Sequence, residues 1–318
     1  MRFYDIFNGD ADGICALQQL RLAEPRDAEL ITGVKRNNRL LARVHPQPGD
    51  LLTVLDIALD ENRGDLTRVL DAGAACCYFD HHFSGSVPEH PRLETHIDTS
   101  ASTCTSLIVD RHLRGAHRAW AVVAAFGDNL AEAATSAART LALSDGDIAR
   151  LCALGECINY NAYGESLEDL NFHPADLYRR LHAYRDPLEF AAQAAEFPAL
   201  QRACENDLEM ARQAPVETVG SRSAAVFLPD EKWSRRISGT LANELARNFP
   251  SRAHAVLTRR GDGYIVSLRS PRSATPGIDV VARKFSGGNG RERAAGIQML
   301  PQAQVEKLFE ALRDAYGT

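Results

Sequence analysis

The first eighty residues alternate short apolar runs with helical stretches, and that alternation leaves the chain few folds to choose from. RFYDIF reads as a strand and Gly13 to about Ala23 as a helix. AELITGV is a second strand, LLTVLD a third followed by a helix through Arg63 to Ala72, and AACCYFD a fourth. Strands of this kind separated by helices predict an α/β fold: a mostly parallel sheet with helices on both faces. Acidic residues stand where these strands end: Asp10 and Asp12 after the first, Asp56 closing the third, Asp80 closing the fourth. Open α/β sheets bind ligands in the crevice outside the carboxyl ends of their strands. Sequence order alone therefore gathers these carboxylates at one edge.

Further along, Ser102 to Leu113 and Ala119 to Phe126 read as helices, with Asp98-Thr99-Ser100 as an N-cap segment. An alanine-rich helix is expected from about Ala131 to Leu154, and another over 187–212 with a break or kink at Pro198. Near Val216 the pattern changes to shorter strands, AAVFL, AHAVLT and GYIVSLRS, with a helix from about Ser238 to Asn248 and then the Gly-rich run SGGNGRERAAG. At 318 residues the chain can bury two cores. The expected division is a metal-binding catalytic domain over 1–186, a helical connector over 187–215 and a smaller α/β substrate-binding domain over 216–318.

Composition narrows the function classes. No apolar run reaches about 18 residues, so no transmembrane helix is expected. The opening MRFYDIFNGDADG turns acidic too early for a signal peptide, which makes a cytoplasmic protein the expectation. Seven scattered cysteines form no CxxC pair and read as reduced, packed thiols. A net charge of −6 disfavours a general grip on long duplex nucleic acid; two bound dications would bring it to −2 and leave room for a local basic pocket.

The segment FNGDADG places two carboxylates two residues apart in a turn where Gly9 and Gly13 add no bulk. Asp10, Asp12, Asp56, His81 and Asp128 together offer four carboxylates and one imidazole, a donor set for hard divalent cations and for Mn²⁺ in particular. That set suits two ions about 4 Å apart, which can generate hydroxide and stabilise an in-line displacement at phosphorus. Each residue alone has a plainer reading: a turn or N-cap acid for Asp10 and Asp12, a strand-end cap for Asp56, a helix terminator for Asp128. Their convergence on one edge favours the metal. Adjacent side chains on a strand face opposite ways, so His81 and His82 are expected to divide the work, one as ligand and one toward substrate.

FNGDADG, VLDIALD, YFDHHFSG and AAFGDN resemble, in order, the four motifs of the DHH phosphoesterase family. That family includes RecJ-type exonucleases, short-RNA and phosphoadenosine phosphate hydrolases, and cyclic-dinucleotide phosphodiesterases. SGTLANELA, VSLRS and IDVVARKFSGGNGRERAAG resemble its DHH-associated C-terminal domain. The resemblance covers nearly the whole chain. It implies that Asp10, Asp12, Asp56, His81 and Asp128 hold two divalent ions, Mn²⁺ or Mg²⁺, with Asp56 as the bridge and a metal-activated hydroxide as nucleophile. It implies His82 near the scissile phosphate, and Asp80 fixing an imidazole tautomer. The chain departs from the pattern twice. Asn8 stands where many members carry a histidine ligand, and is either a neutral oxygen donor or a turn residue. Arg291 stands where the C-terminal histidine is expected. Arg291, Arg269 and the run Gly287, Gly288, Asn289, Gly290 are the expected contacts to substrate phosphate. The implied function is hydrolysis of phosphoesters in short oligonucleotides or nucleotides, with no membrane partner; a homodimer stays open. The alternatives are a cyclic-dinucleotide or other small-phosphate hydrolase, and a nucleotide-binding regulator with weakened catalysis.

Overall fold

The computed structural model describes residues 1–272 and 275–317 and divides the chain into two compact units, Met1–Arg202 and a second from Ala203 onward. The first unit begins with β1 (Phe3–Asn8), α1 (Ala11–Ala23), β2 (Glu29–Gly33), β3 (Leu51–Leu55), α2 (Leu59–Asp71), β4 (Ala75–Asp80) and β5 (Leu93–Ile97). It continues through α3 (Thr105–His112), α4 (Arg118–Gly127), α5 (Ala131–Ala138), α6 (Asp145–Ala162), α7 (Pro174–His182) and α8 (Pro187–Gln193), and the boundary at Arg202 falls within α9 (Glu196–Arg212). Its five strands form one parallel sheet in the order β2-β1-β3-β4-β5. The fold is the α/β architecture expected from the strand–helix alternation.

Both faces of the sheet are covered, which is why its strands are nearly continuously apolar. On one face Tyr4, Ile6, Leu52, Val54, Cys76 and Tyr78 pack with Leu59, Leu66, Val69 and Leu70 of α2. On the other, Phe7 meets the Tyr178 ring of α7 at 5.8 Å, and Asp5 takes a two-pronged ion pair from Arg21 of α1 at 2.6 and 2.8 Å. Arg21 also donates to Thr53 Oγ1 at 2.9 Å, so one buried guanidinium joins α1, β1 and β3.

Several local expectations change. The alanine-rich segment is two helices, α5 and α6, the second starting at a Ser144–Asp147 capping box. Pro198 sits in the first turn of α9, where a missing N–H costs nothing, and the break falls before it, between α8 and α9. Strand β5, LETHI, was not expected. It is the sheet's edge, half exposed and only partly apolar.

The second unit contains β6 (Val216–Gly220), β7 (Ser223–Leu228), α10 (Lys232–Asn248), β8 (Ala253–Arg260), β9 (Gly263–Arg269), α11 (Ile278–Ala282), β10 (Gly288–Arg291), β11 (Ala294–Pro301) and α12 (Val305–Tyr316). Its sheet, in the order β10-β11-β9-β8-β7-β6, is mixed: only β7 and β8 run parallel. Ala225, Leu257, Val266, Leu268 and Ile297 meet Ile278, Val281, Leu308 and Leu312 in its core. The Gly-rich run forms β10 and the start of β11. No helix among the described residues is long and apolar enough to cross a membrane.

Candidate metal centre

In the order β2-β1-β3 the chain leaves β1 to one side and returns to the other, and the crevice lies outside the carboxyl ends at that switch. Asp10 is the N-cap of α1; its Oδ1 accepts the Asp12 and Gly13 N–H groups, both at 3.0 Å. Gly13 is needed for close approach rather than for a bend, since a Cβ there would stand 2.2 Å from the Asn8 carbonyl oxygen. Asp12 reaches across 93 residues. Its two carboxylate oxygens accept the N–H groups of Thr105 and Ser106, each at 2.7 Å, and so start α3. The expected cap at Asp98-Thr99-Ser100 does not form. Asp98 instead accepts from the backbone and hydroxyl of its neighbour Ser100.

Asp56 follows β3 with φ at 58°, in the left-handed region that costs a residue with a Cβ about 1–2 kcal/mol and that Asp tolerates better than most. Its N–H donates to the Phe79 carbonyl at 3.0 Å, and Thr105 Oγ1 donates to its carboxylate at 3.2 Å. Asp80, fully buried at the end of β4, accepts from the His81 N–H (2.9 Å), the His82 N–H (3.2 Å) and His82 Nδ1 (2.7 Å). The strand ends there, so its alternation does not extend to the histidines. Their rings lie side by side, centroids 4.5 Å apart, instead of facing opposite ways. The ligand atoms of Asp56, His81 and His82 all fall within 4.8 Å of one another.

His81 supplies the test of whether these groups fit a cation. Its Nδ1 lies 3.1 Å from the Thr103 carbonyl oxygen, which can only accept, so Nδ1 carries the proton and Nε2 presents a lone pair. That Nε2 lies 3.4 Å from Asp56 Oδ1, 3.9 Å from Asp12 Oδ2 and 4.0 Å from Asp128 Oδ2. Three carboxylate oxygens thus lie within 4.0 Å of one imidazole nitrogen. Burial and the charges of Asp10, Asp12, Asp128 and Asp80 push the Asp56 carboxyl well above its ordinary range. Burial, with the charges of Asp128 and Asp10, also raises Asp12. A divalent cation relieves both, and oxygen with imidazole is the donor set Mn²⁺ accepts. The residues fit the metal.

One side of the cluster was not anticipated. Lys35, two residues beyond β2 on the same sheet edge, places Nζ 2.5 Å from Asp10 Oδ2, 3.1 Å from Asn159 Oδ1 and 3.5 Å from Asp128 Oδ1. The ammonium also lies 5.8 Å from the centre of the Tyr163 ring. Burial works against its charge, but Asp10, Tyr163 and Asp128 hold its pKa well above the ordinary lysine value. In return Asp10, which burial would raise, is held below the usual carboxylate range by Lys35 and the Gly13 N–H. Asn8 is turned to the backbone: Oδ1 accepts the Asp10 N–H at 3.3 Å and Nδ2 donates to the Lys35 carbonyl at 3.2 Å. Lys35 stands just past the end of the second strand, as the acids stand at the ends of the others, and strand-end position is the signal that could have found it. Phe83, directly after His82, was also passed over; its side chain is 77% exposed.

In the second unit, Arg291 of β10 is exposed and pairs with Ala294 of β11, which pairs with Arg269 of β9, so the two arginines share one row of the sheet. Arg269 donates to Asn243 Oδ1 at 2.7 Å and to the Leu268 carbonyl at 2.8 Å. Gly287 takes φ of 71°. The N–H of Gly288 donates to Phe285 O and that of Gly290 to Asn289 Oδ1, so these two amides are engaged internally rather than open to a phosphate.

Residues 220–318 match the model of the DHHA1 domain. Comparison by sequence with curated proteins gives no match. Among solved structures, RecJ in complex with Mn²⁺ from Thermus thermophilus is similar with a TM-score of 0.65 and 17% identity. The match covers 98% of this chain but 51% of that one, so the chain spans about half of this RecJ. The pGpG-specific phosphodiesterase PggH from Vibrio cholerae is similar at a TM-score of 0.54 and 14% identity over 97% of both chains. An exopolyphosphatase-related protein from Bacteroides fragilis follows at 0.52 and 16%, covering 98% of this chain and 92% of that one.

Proposed function

We propose that this chain, whose fold is similar to those of RecJ and PggH and whose residues 220–318 match the DHHA1 domain, is a divalent-metal-dependent phosphoesterase acting on short oligonucleotides or nucleotides. The observation that carries the proposal is His81 Nε2 facing the buried carboxylates of Asp12 and Asp56 and the half-buried one of Asp128 at 3.4–4.0 Å, at the edge where α/β sheets bind ligands. Asp12, Asp56, His81 and Asp128 would hold the metal, and Asp10 would hold the adjoining positive charge. A bound Mn²⁺ or Mg²⁺ supplies Lewis-acid stabilisation of charge on phosphate oxygens and activates water.

The chain's own groups do the rest. Asp80 fixes the His82 proton on Nδ1 at 2.7 Å, leaving Nε2 to exchange a proton at a phosphate or leaving-group oxygen. The His82 side chain is 35% exposed while His81 is buried, which suits a substrate-side role for the one and a ligand role for the other. Arg291 and Arg269 are proposed anion contacts of the DHHA1 domain. The engaged amides of Gly288 and Gly290 shift that role from the glycine backbone to the exposed Arg291 guanidinium above all. The exposed Phe83 ring beside His82 favours a substrate that carries a base, because an aromatic face can stack a nucleobase and has nothing to offer an inorganic chain.

A panel of short RNA, short DNA, nucleotide bisphosphate, cyclic dinucleotide and polyphosphate, each with Mn²⁺ and with Mg²⁺, tests the proposal. Hydrolysis of a base-bearing substrate is expected, lost in Asp56→Asn and raised in KM by Phe83→Ala. Activity surviving Asp56→Asn in metal-replete buffer would sink the mechanism. A second reading, a nucleotide-binding regulator, draws on Lys35 and on the amide of Asn8, which is committed to the backbone; binding of the panel without turnover would favour it.

A further inference from the structure

We infer that the Lys35 ammonium stands in for one of the two cations of a dinuclear centre, so that this protein holds a single divalent ion per chain. The inference rests on the phosphoesterase reading and deepens it. Two sets of contacts divide the cluster. Around His81 Nε2 lie Asp56 Oδ1, Asp12 Oδ2 and Asp128 Oδ2, three carboxylates and an imidazole, enough to hold one ion. Around Lys35 Nζ lie Asp10 Oδ2, Asp128 Oδ1 and Asn159 Oδ1, three oxygens at 2.5–3.5 Å, with the Tyr163 ring at 5.8 Å. Asp128 belongs to both sets, one oxygen toward each, as a bridging carboxylate would. The ammonium therefore sits where a second ion would share Asp128 with the first.

The departure at Asn8 fits the same exchange. A ligand at that position would have to turn toward the centre. Asn8 instead spends its oxygen on the Asp10 N–H and its nitrogen on the Lys35 carbonyl, so it braces the segment that delivers the ammonium. An ammonium differs from a metal ion in being permanent and in offering no open coordination site. It can bind a phosphate oxygen by hydrogen bonds but cannot activate water.

Metal counting decides the matter without any substrate. Metal-depleted full-length protein is titrated with Mn²⁺, with bound metal counted by mass spectrometry and the spin state read by electron paramagnetic resonance. The wild type is expected to hold one Mn²⁺ with an uncoupled signal. Lys35→Ala should take a second ion and show exchange coupling, and Lys35→Arg, which keeps the charge, should stay at one. Two coupled ions in the wild type would overturn this inference and leave the phosphoesterase reading intact. No bound ion in the wild type would overturn both. One ion in a folded Lys35→Ala would show that the ammonium is not what excludes the second.

Discussion

Asp56 concentrates the conflict in this protein. It is buried, sits in a left-handed backbone conformation and faces four other carboxylates, so its ionised form costs stability whenever no cation is present. Its folded pKa lies above the unfolded value of about 3.9, so its contribution to stability is complete below that value and is lost as pH rises through the folded pKa. Asn keeps the left-handed backbone and can accept the Thr105 hydroxyl, but carries no charge. Metal-free Asp56→Asn is therefore expected to melt higher than the metal-free wild type at neutral pH and to lose part of the decline in stability with rising pH. Saturating Mn²⁺ should reverse the ranking. Thermal melts across pH with and without metal check this, and a metal-free variant less stable than the wild type refutes it. At this scale the sequence was legible where chemistry is repeated: acids at successive strand ends are conspicuous. It was silent where one residue depends on a distant one. Nothing near Asp12 announces that its oxygens start a helix 93 residues away, and nothing near Lys35 announces Asn159.

Among elements, β1, β3 and β4 could be read because buried parallel strands are mostly apolar, whereas the half-buried edge strand β5, LETHI, has too little apolar signal to stand out. The helix α1 is secured to the sheet by the Arg21–Asp5–Thr53 triad, whose ion-pair side chains are 4% and 2% exposed. Removing one partner strands a buried charge, so Arg21→Met is expected to cost about 3–5 kcal/mol in urea denaturation. Adding Asp5→Leu to the same chain should recover much of that loss, because the remaining charge goes with it. Since α1 begins at Asp10, this triad also holds the carboxyl edge in register. Helices α4 and α6 cross at a glycine: a Cβ on Gly155 would stand 2.1 Å from the Val123 carbonyl oxygen, so the close approach that positions Asp128 depends on the missing side chain.

For the whole molecule, the proposed metal would contribute to the fold's stability as well as to its chemistry. A ligand at about 100 times its Kd adds roughly 2.7 kcal/mol, which for a unit of this size is a shift of about 5–10 °C in the melting midpoint. Mn²⁺ is expected to raise the midpoint by that order and a chelator to lower it; an unchanged midpoint counts against a metal held by buried residues. The net charge of −6 keeps the rest of the surface unsuited to long duplex nucleic acid and confines attraction for anions to local groups such as Arg291. One contact carries further than its neighbours. Because the two oxygens of Asp12 hold the first amides of α3, that helix is seated by the same carboxylate that would meet the cation. Changing Asp12 therefore unseats a helix start 93 residues away together with the centre.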